Sequence, residues 1–288
     1  MNREPEAERA LELRNLIKQE IETLNQPSDA DVESSGIAAQ LSNAGVPFPY
    51  AVTQLSDPAV QIKLKFPFIG DTMPKRFHKD PKDDKWFYVE REVFVKLVNK
   101  FQHVQENRST NTLLVYGAKG YGKSHLLAVL VCYLAAQGER VVYIPDCLAS
   151  IANLVQTFVR AMLFAWADDY AIKDQIIKLN SPKTIGDFLS GFSGETVFVF
   201  DQMNALEESD SAGDELRKWL LRYRGGCKAI FSSSANYRTF LQLKKENNIE
   251  PLKVQGGFTN VSLDENNCSL KGFSNCDLDG NGALVEAP

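Results

Sequence analysis

Short apolar runs recur along the middle of the chain, each followed by a segment of helical length. Thr112-Leu113-Leu114-Val115-Tyr116, Arg140 to Pro145 (RVVYIP), Glu195 to Phe200 (ETVFVF) and Lys228 to Ser232 (KAIFS) have the length and the β-branched and aromatic content of buried strands. The segment Ser124 to Gln137 (SHLLAVLVCYLAAQ) is apolar on every side and stops at Gly138, which predicts a buried helix with a glycine end. Further helices are predicted over Ile151–Trp166, Ala171–Leu179, Thr184–Leu189, Asp214–Tyr223 and Ala235–Asn247. Beyond them, Val254 to Thr259 (VQGGFT) offers a fifth strand and its exit turn. Strands alternating with helices predict an α/β fold, a central and mostly parallel five-stranded sheet flanked by helices. Right-handed crossovers then gather the strand-end loops along the carboxyl edge of that sheet.

The N-terminal part follows a different pattern. Glu4 to Leu24 is a charged helix with a thin apolar stripe of Leu13, Leu16, Ile17, Ile21 and Leu24, and Asn25-Gln26-Pro27 ends it. The stripe suits a partner helix or the surface of the main domain. Ser28 to Leu64 is rich in Pro, Ser, Gly and Asp without a sustained period and reads as linker. A charged turn, His78 to Lys85, leads into Trp86-Phe87-Tyr88-Val89 and a helix through Gln105 whose face carries Val93, Phe94, Leu97, Val98 and Phe101. Those aromatics can either line an adenine pocket or pack the edge of the sheet. The expected division is 1–64 as N-terminal helix and linker, 65–258 as the α/β domain, and 259–288 as a polar tail.

One loop carries the chemistry. Gly117-Ala118-Lys119-Gly120-Tyr121-Gly122-Lys123-Ser124 fits G-x-x-x-x-G-K-[ST], and it lies between a predicted strand and a predicted helix. The glycines let the backbone curl so that its N–H groups point inward at phosphate oxygens, on the end of a helix that favours negative charge. Lys123 adds a positive charge near the β- and γ-phosphates, and the Ser124 hydroxyl suits Mg²⁺. His125 follows directly and is grouped with the loop as a binding residue, although helix packing is the commoner fate of such a histidine. The fold expected is therefore a P-loop NTPase with an N-terminal helical extension, and the cofactors are ATP and Mg²⁺.

Val197-Phe198-Val199-Phe200-Asp201 has the form of the second nucleotide motif, an apolar strand that delivers a carboxylate to the sheet edge. Asp201 is read as a metal ligand, directly or through water, together with Ser124. Gln202 stands where many ATPases with an extra strand between the two motifs carry a glutamate base. An amide orients water but takes no proton at neutral pH, so either turnover is slow or Glu207 or Glu208 substitutes. After the fourth strand, Ser234 or Asn236 can reach the γ-phosphate or the attacking water, and Ser234 equally suits an N-cap. Asp201, Gln202 and Asn236 are the catalytic residues expected. Arg217, Arg222 and Arg224, with Lys218 and Lys228, form a basic stretch that suits phosphate or a plain solvated face.

Composition narrows the partners. A net charge of −5 over 288 residues gives no global basic signature, so nucleic acid is not a supported partner. No apolar stretch approaches the ~20 residues of a membrane span, and the charged N-terminus lacks a secretory core, which points to the cytoplasm. Five cysteines without C-x-x-C spacing read as reduced thiols, and three scattered histidines form no metal set. The tail run Asp277-Leu278-Asp279-Gly280-Asn281-Gly282 begins like a calcium loop but meets Pro288 at the twelfth position, so it fails as one.

The runs TLLVYGAKGYGKSHLLAVL, ERVVYIPDC, VFVFDQMNALE, IFSSSANY and VQGGFT, in this order, resemble the P-loop ATPase domain of crinkler and retrotransposon-hot-spot (RHS) proteins, itself related to AAA+ and STAND ATPases. The resemblance spans about Phe77 to Thr259. It implies ATP binding with Mg²⁺ at Lys123, Ser124 and Asp201, and a Gln at position 202 as usual for the group. It also implies effector-like delivery to a host cell or nucleus for some relatives, whose ubiquitin-like and nuclease segments have no counterpart here. Where such a domain continues into a helical lid, Asn260 to Pro288 is Asn-, Gly- and Asp-rich. Two functions remain open on these grounds: an ATPase or ATP-gated switch, and a nucleotide-dependent interaction module that does not turn over, with a protein partner or self-association. A small-molecule kinase is a weaker third, and a GTPase lacks its base-reading Asn-Lys-x-Asp run.

Overall fold

The computed structural model describes residues 3–25, 50–57, 61–70, 73–89, 92–192, 196–206, 211–223, 227–234 and 248–255. Asn236, Glu207, Glu208, Arg224, the helix expected over Ala235–Asn247 and the tail from residue 259 lie outside them.

Five parallel strands form the centre: β3 (Thr112–Gly117), β4 (Arg140–Ile144), β5 (Thr196–Phe200), β6 (Lys228–Ser234) and β7 (Ile249–Lys253), in the spatial order β4-β5-β6-β3-β7. From β3 the chain crosses to the far edge at β4, returns through β5 and β6, and places β7 on the other side of β3. One strand, β6, therefore separates the loop strand from the strand that ends at Asp201. This order and the glycine loop after β3 make the fold a P-loop NTPase fold, as the sequence pattern predicts.

The fifth strand is displaced from its expected position. It is Ile249–Lys253 (IEPLK) and not the VQGGFT run, of which only Val254 and Gln255 are described. Its register sets Pro251 opposite Leu114. Proline donates no ladder bond, so a strand containing it is accommodated at a sheet edge, which is where β7 lies. A five-residue run containing proline and two charged residues carries a weak strand signature, and so the sequence pointed to its more apolar neighbour.

Helix α4 (Lys123–Ala136) buries every residue from Leu126 to Ala135. A helix with no polar face needs cover on both sides. The sheet supplies one side. The other is covered by α1 (Glu4–Leu24), which packs against α4 and against α6 (Leu154–Ala165). The buried stripe of α1 is Ala7, Ala10, Arg14, Ile17 and Ile21, only partly the leucine stripe expected; Leu13 and Leu24 lie at its margin. Gly138, at φ +89°, ends α4 with the Glu139 N–H on Leu134 O at 3.0 Å, a left-handed cap that favours glycine.

Part of the segment read as linker is folded. Helix α2 (Tyr50–Gln54) buries Ala51 and Val52, and strand β1 (Gln61–Lys65) pairs antiparallel with β2 (Lys85–Val89). Alternation in QIKLK puts Ile62 and Leu64 inward, a five-residue signal too short to stand out among prolines and serines. Helix α3 (Val93–Glu106) buries Phe94, Leu97, Val98, Phe101 and Val104, close to the face expected.

Three further helices, α5 (Cys147–Ser150), α7 (Tyr170–Ile176) and α8 (Pro182–Ser190), connect β4 to β5 together with α6. Helix α9 (Ser211–Tyr223) then leads toward β6. Among the described residues no helix is long and apolar enough to cross a membrane.

Candidate functional site

The phosphate-loop residues sit where β3 gives way to α4. Gly120 and Gly122 hold φ of +85° and +70°, left-handed values that suit glycine and turn the backbone tightly between strand and helix. Gly117 is constrained by contact instead. The carbonyl of Val254 lies against its α-carbon, and a Cβ there would overlap that oxygen. The Val254 N–H in turn bonds Tyr116 O at 2.7 Å, so the exit of β7 is locked onto the base of the loop.

Lys123 opens α4 and folds back over the loop. Its Nζ donates to Gly117 O at 3.0 Å and Ala118 O at 2.8 Å. Burial lowers its pKa, and the charge of nearby Asp201 partly offsets that. The ammonium is thus held over the loop by two of the loop's own carbonyls. Ser124 follows, half-buried, on the first turn of the helix. His125 goes elsewhere: its ring packs on Phe77 at 4.8 Å and Trp86 at 5.6 Å between centroids. Trp86 and Tyr88 are buried in the core, the packing role for the aromatic segment.

Asp201 ends β5, fully buried. Its backbone N–H bonds Ile144 O at 3.0 Å and its carbonyl accepts from Cys147 N–H at 3.3 Å, which ties the ends of β4 and β5 together. Both carboxylate oxygens have partners. Ser232 Oγ donates to Oδ1, and Arg76 Nη2 donates to Oδ2 at 3.0 Å. Ser232 also accepts the Gln202 N–H at 2.8 Å, so one hydroxyl holds both residues of the motif. Gln202 sits at φ +62°, a left-handed conformation that costs a non-glycine residue about 1–2 kcal/mol. Asn204, on the 3-10 turn Met203–Leu206, accepts the Ser234 N–H at 3.2 Å.

Three residues near the carboxylate were not picked out from the sequence for a role here. Ser232 was passed over for Ser234, although side chains alternate along β6 and put both on one face. Asp146 N-caps α5 through the Ala149 N–H at 2.9 Å and also accepts from Arg76 Nη1 at 3.2 Å. Its position at the end of β4 was the available signal. Arg76 had none, since it stands in a charged run far upstream of the loop.

The basic stretch divides. Arg217 and Lys218 pair with Asp214 on their own helix, Lys218 exposed and Arg217 partly covered. Lys228 Nζ donates to Val104 O, Asn107 O and Thr110 O, closing the end of α3. The side chain of Arg222 and all of Arg224 lie outside the described residues. Among the described residues no three His, Cys, Asp or Glu side chains form a metal-binding cluster. Among the described residues at this sheet edge, the Ser124 hydroxyl and the Asp201 carboxylate are hard oxygen donors of the kind that suits Mg²⁺ and would leave most of the coordination shell to other ligands. The buried hydroxyl of Tyr143 and Nε of Arg76 have no partner among the described residues.

No family model matches the chain, and no curated protein matches it. Solved structures similar to it include AMPPCP-bound DnaA from Aquifex aeolicus, 16% identical, covering 61% of this chain and 50% of that one with a TM-score of 0.37. A DNA replication initiation factor is 16% identical over 56% of this chain and 46% of its own, TM-score 0.30. PCH-2 of C. elegans is 13% identical over 56% of this chain and 41% of its own, TM-score 0.31. The chain thus spans half or less of each of these structures. The fold assignment rests on its own strand order and loop.

Proposed function

We propose that the chain is an ATP-binding P-loop protein of crinkler/RHS type, a Mg²⁺-dependent ATPase or ATP-gated switch. The observation that carries this reading is the juxtaposition at one sheet edge of the Gly117–Ser124 loop, Lys123 over its carbonyls, and the buried Asp201 one strand away.

In this reading the loop N–H groups and the N-terminus of α4 receive the phosphate chain, where the helix end contributes about half a positive charge. Lys123 exchanges Gly117 O and Ala118 O for phosphate oxygens, regaining in charge-assisted bonds what burial costs its ammonium. Ser124 and Asp201 hold the metal, which when bound neutralises phosphate charge. Ser232 fixes Asp201 and the backbone of Gln202 in one geometry. Gln202 then aligns water without taking its proton, and slow turnover follows. Asn236 belongs to this proposal as a γ-phosphate contact. The crinkler/RHS assignment, and any effector role with it, rests on the order of the sequence runs.

Gln202 also favours a second reading, an ATP-dependent interaction module without turnover. Lys123→Ala is expected to abolish binding of a fluorescent ATP analogue; unchanged affinity removes the site. Steady-state phosphate release then separates the readings, a rate above background supporting the ATPase and a background rate the module.

A further inference from the structure

Arg76 does not belong to the loop or to either nucleotide motif, yet its guanidinium is wedged into the centre of the site. Nη2 donates to Asp201 Oδ2 at 3.0 Å and to Pro145 O, and Nη1 donates to Asp146 Oδ2 at 3.2 Å. The guanidinium carbon lies 5.3 Å from the centroid of the Phe77 ring, so the side chain is held from one face as well as by its edges. The two carboxylates differ sharply. Asp201 has no exposure at all, whereas the Asp146 side chain is 27% exposed. A fully buried carboxylate needs a counter-charge close by, and Arg76 supplies it. Lys123, a second cation whose charge interacts with Asp201, is bonded to loop carbonyls instead. With Arg76 and Lys123 positive and Asp146 and Asp201 negative, the formal charges of the four residues cancel.

That arrangement bears on how a divalent cation reaches Asp201. Oδ1 is taken by Ser232 and Oδ2 by Arg76. Bringing a 2+ ion beside an arginine that already satisfies the carboxylate adds like-charge repulsion to the loss of an ion pair. The guanidinium has somewhere to go, because Asp146 already accepts from Nη1 and can take the planar fork with both nitrogens. Near Asp201, the Nε of Arg76 and the hydroxyl of Tyr143 have no partner among the described residues and mark an interior whose polar groups those residues do not all satisfy.

We propose that Arg76 is a counter-ion that competes with Mg²⁺ for Asp201, so that metal entry is an exchange in which the guanidinium passes to Asp146. This rests on the ATP-binding reading above and adds a regulating residue to the same site. It makes the Mg²⁺ concentration at which nucleotide binds tightly a property tuned from outside the phosphate loop. It also predicts that the two partners of Arg76 act in opposite senses. Removing Arg76 frees Asp201 for the metal. Removing the charge of Asp146 leaves Asp201 as the one charged partner of the guanidinium among the described residues and strengthens the competition.

The test titrates Mg²⁺ into the full chain at fixed trinitrophenyl-ATP and reads the Mg²⁺ concentration at half-maximal fluorescence. Arg76→Gln is expected to lower it by about fivefold or more, the lower end of ordinary coupling between sites. Asp146→Asn, which keeps the oxygen that caps α5, is expected to raise it. Thermal melts without ligand check that each variant folds. Should Arg76→Gln not fold, Arg76→Lys takes its place, since a single ammonium cannot fork between two carboxylates, and it too is expected to lower the midpoint. An unchanged midpoint in the Arg76 variants, or a shift of both Arg76 and Asp146 variants in one direction, overturns the exchange. A wild type that binds the analogue equally well with EDTA overturns it while leaving nucleotide binding intact. A wild type that binds no analogue removes both.

Discussion

At the residue scale the site is fixed by close contacts more than by motif letters. Gly117 is the first glycine of the loop pattern, and its reason here is the Val254 carbonyl packed against its α-carbon. Gly117→Ala is expected to destabilise the fold by about 1–3 kcal/mol, the usual range for overpacking, and to loosen β7 from the loop. Denaturant unfolding measures the loss, and an unchanged midpoint contradicts the contact. The motif was legible because each of its letters has a strict backbone or charge requirement. Ser232, Asp146 and Arg76 were not legible in the same way. A serine in a run of three and an arginine among other charges acquire a role only when the chain folds back on itself, and Arg76 and Asp201 are far apart in sequence. His125 shows the converse: it is adjacent to the motif, and the helix turns it into an aromatic pocket with Phe77 and Trp86.

Among the elements, α1 explains how an all-apolar helix survives next to solvent. Ala7, Ala10, Ile17 and Ile21 cover α4 and α6, and the buried Arg14 sits between them. Its guanidinium donates to Phe164 O at 3.1 Å and Ala165 O at 2.5 Å, carbonyls at the end of α6 that the helix leaves open, and to Glu139 O at 3.1 Å in the turn after α4. Burial lowers the Arg14 pKa, partly offset by Asp168. Arg14→Met keeps the stem and loses these bonds, and is expected to cost about 2 kcal/mol in denaturant unfolding. A midpoint within error of wild type contradicts the cap. The length of α1 was legible from its charge pattern and its proline, and so was the Ile17 and Ile21 part of its buried face. Ala7, Ala10 and Arg14 complete that face, and both residue types read as solvent-facing until the partner helix is known. The apolar α4 did announce in sequence that something must cover it. Strand β7 was missed because its pairing with β3, not its composition, makes it a strand.

For the whole molecule, the order β4-β5-β6-β3-β7 brings the ends of β3, β5 and β6 side by side, so the loop, Asp201 and Ser232 meet although they are scattered along the chain. This convergence was predictable from the alternation of strands and helices together with right-handed crossovers. The site is neutral in formal charge over Arg76, Lys123, Asp146 and Asp201, and under the proposed function an incoming phosphate chain displaces the carbonyl partners of Lys123. The most direct measurement is calorimetric titration of the full chain with ATP, ADP and GTP, each with and without Mg²⁺. The account predicts saturable binding of ATP at a single site, tightened by Mg²⁺. Absence of saturable heat with every nucleotide, in either condition, would contradict it.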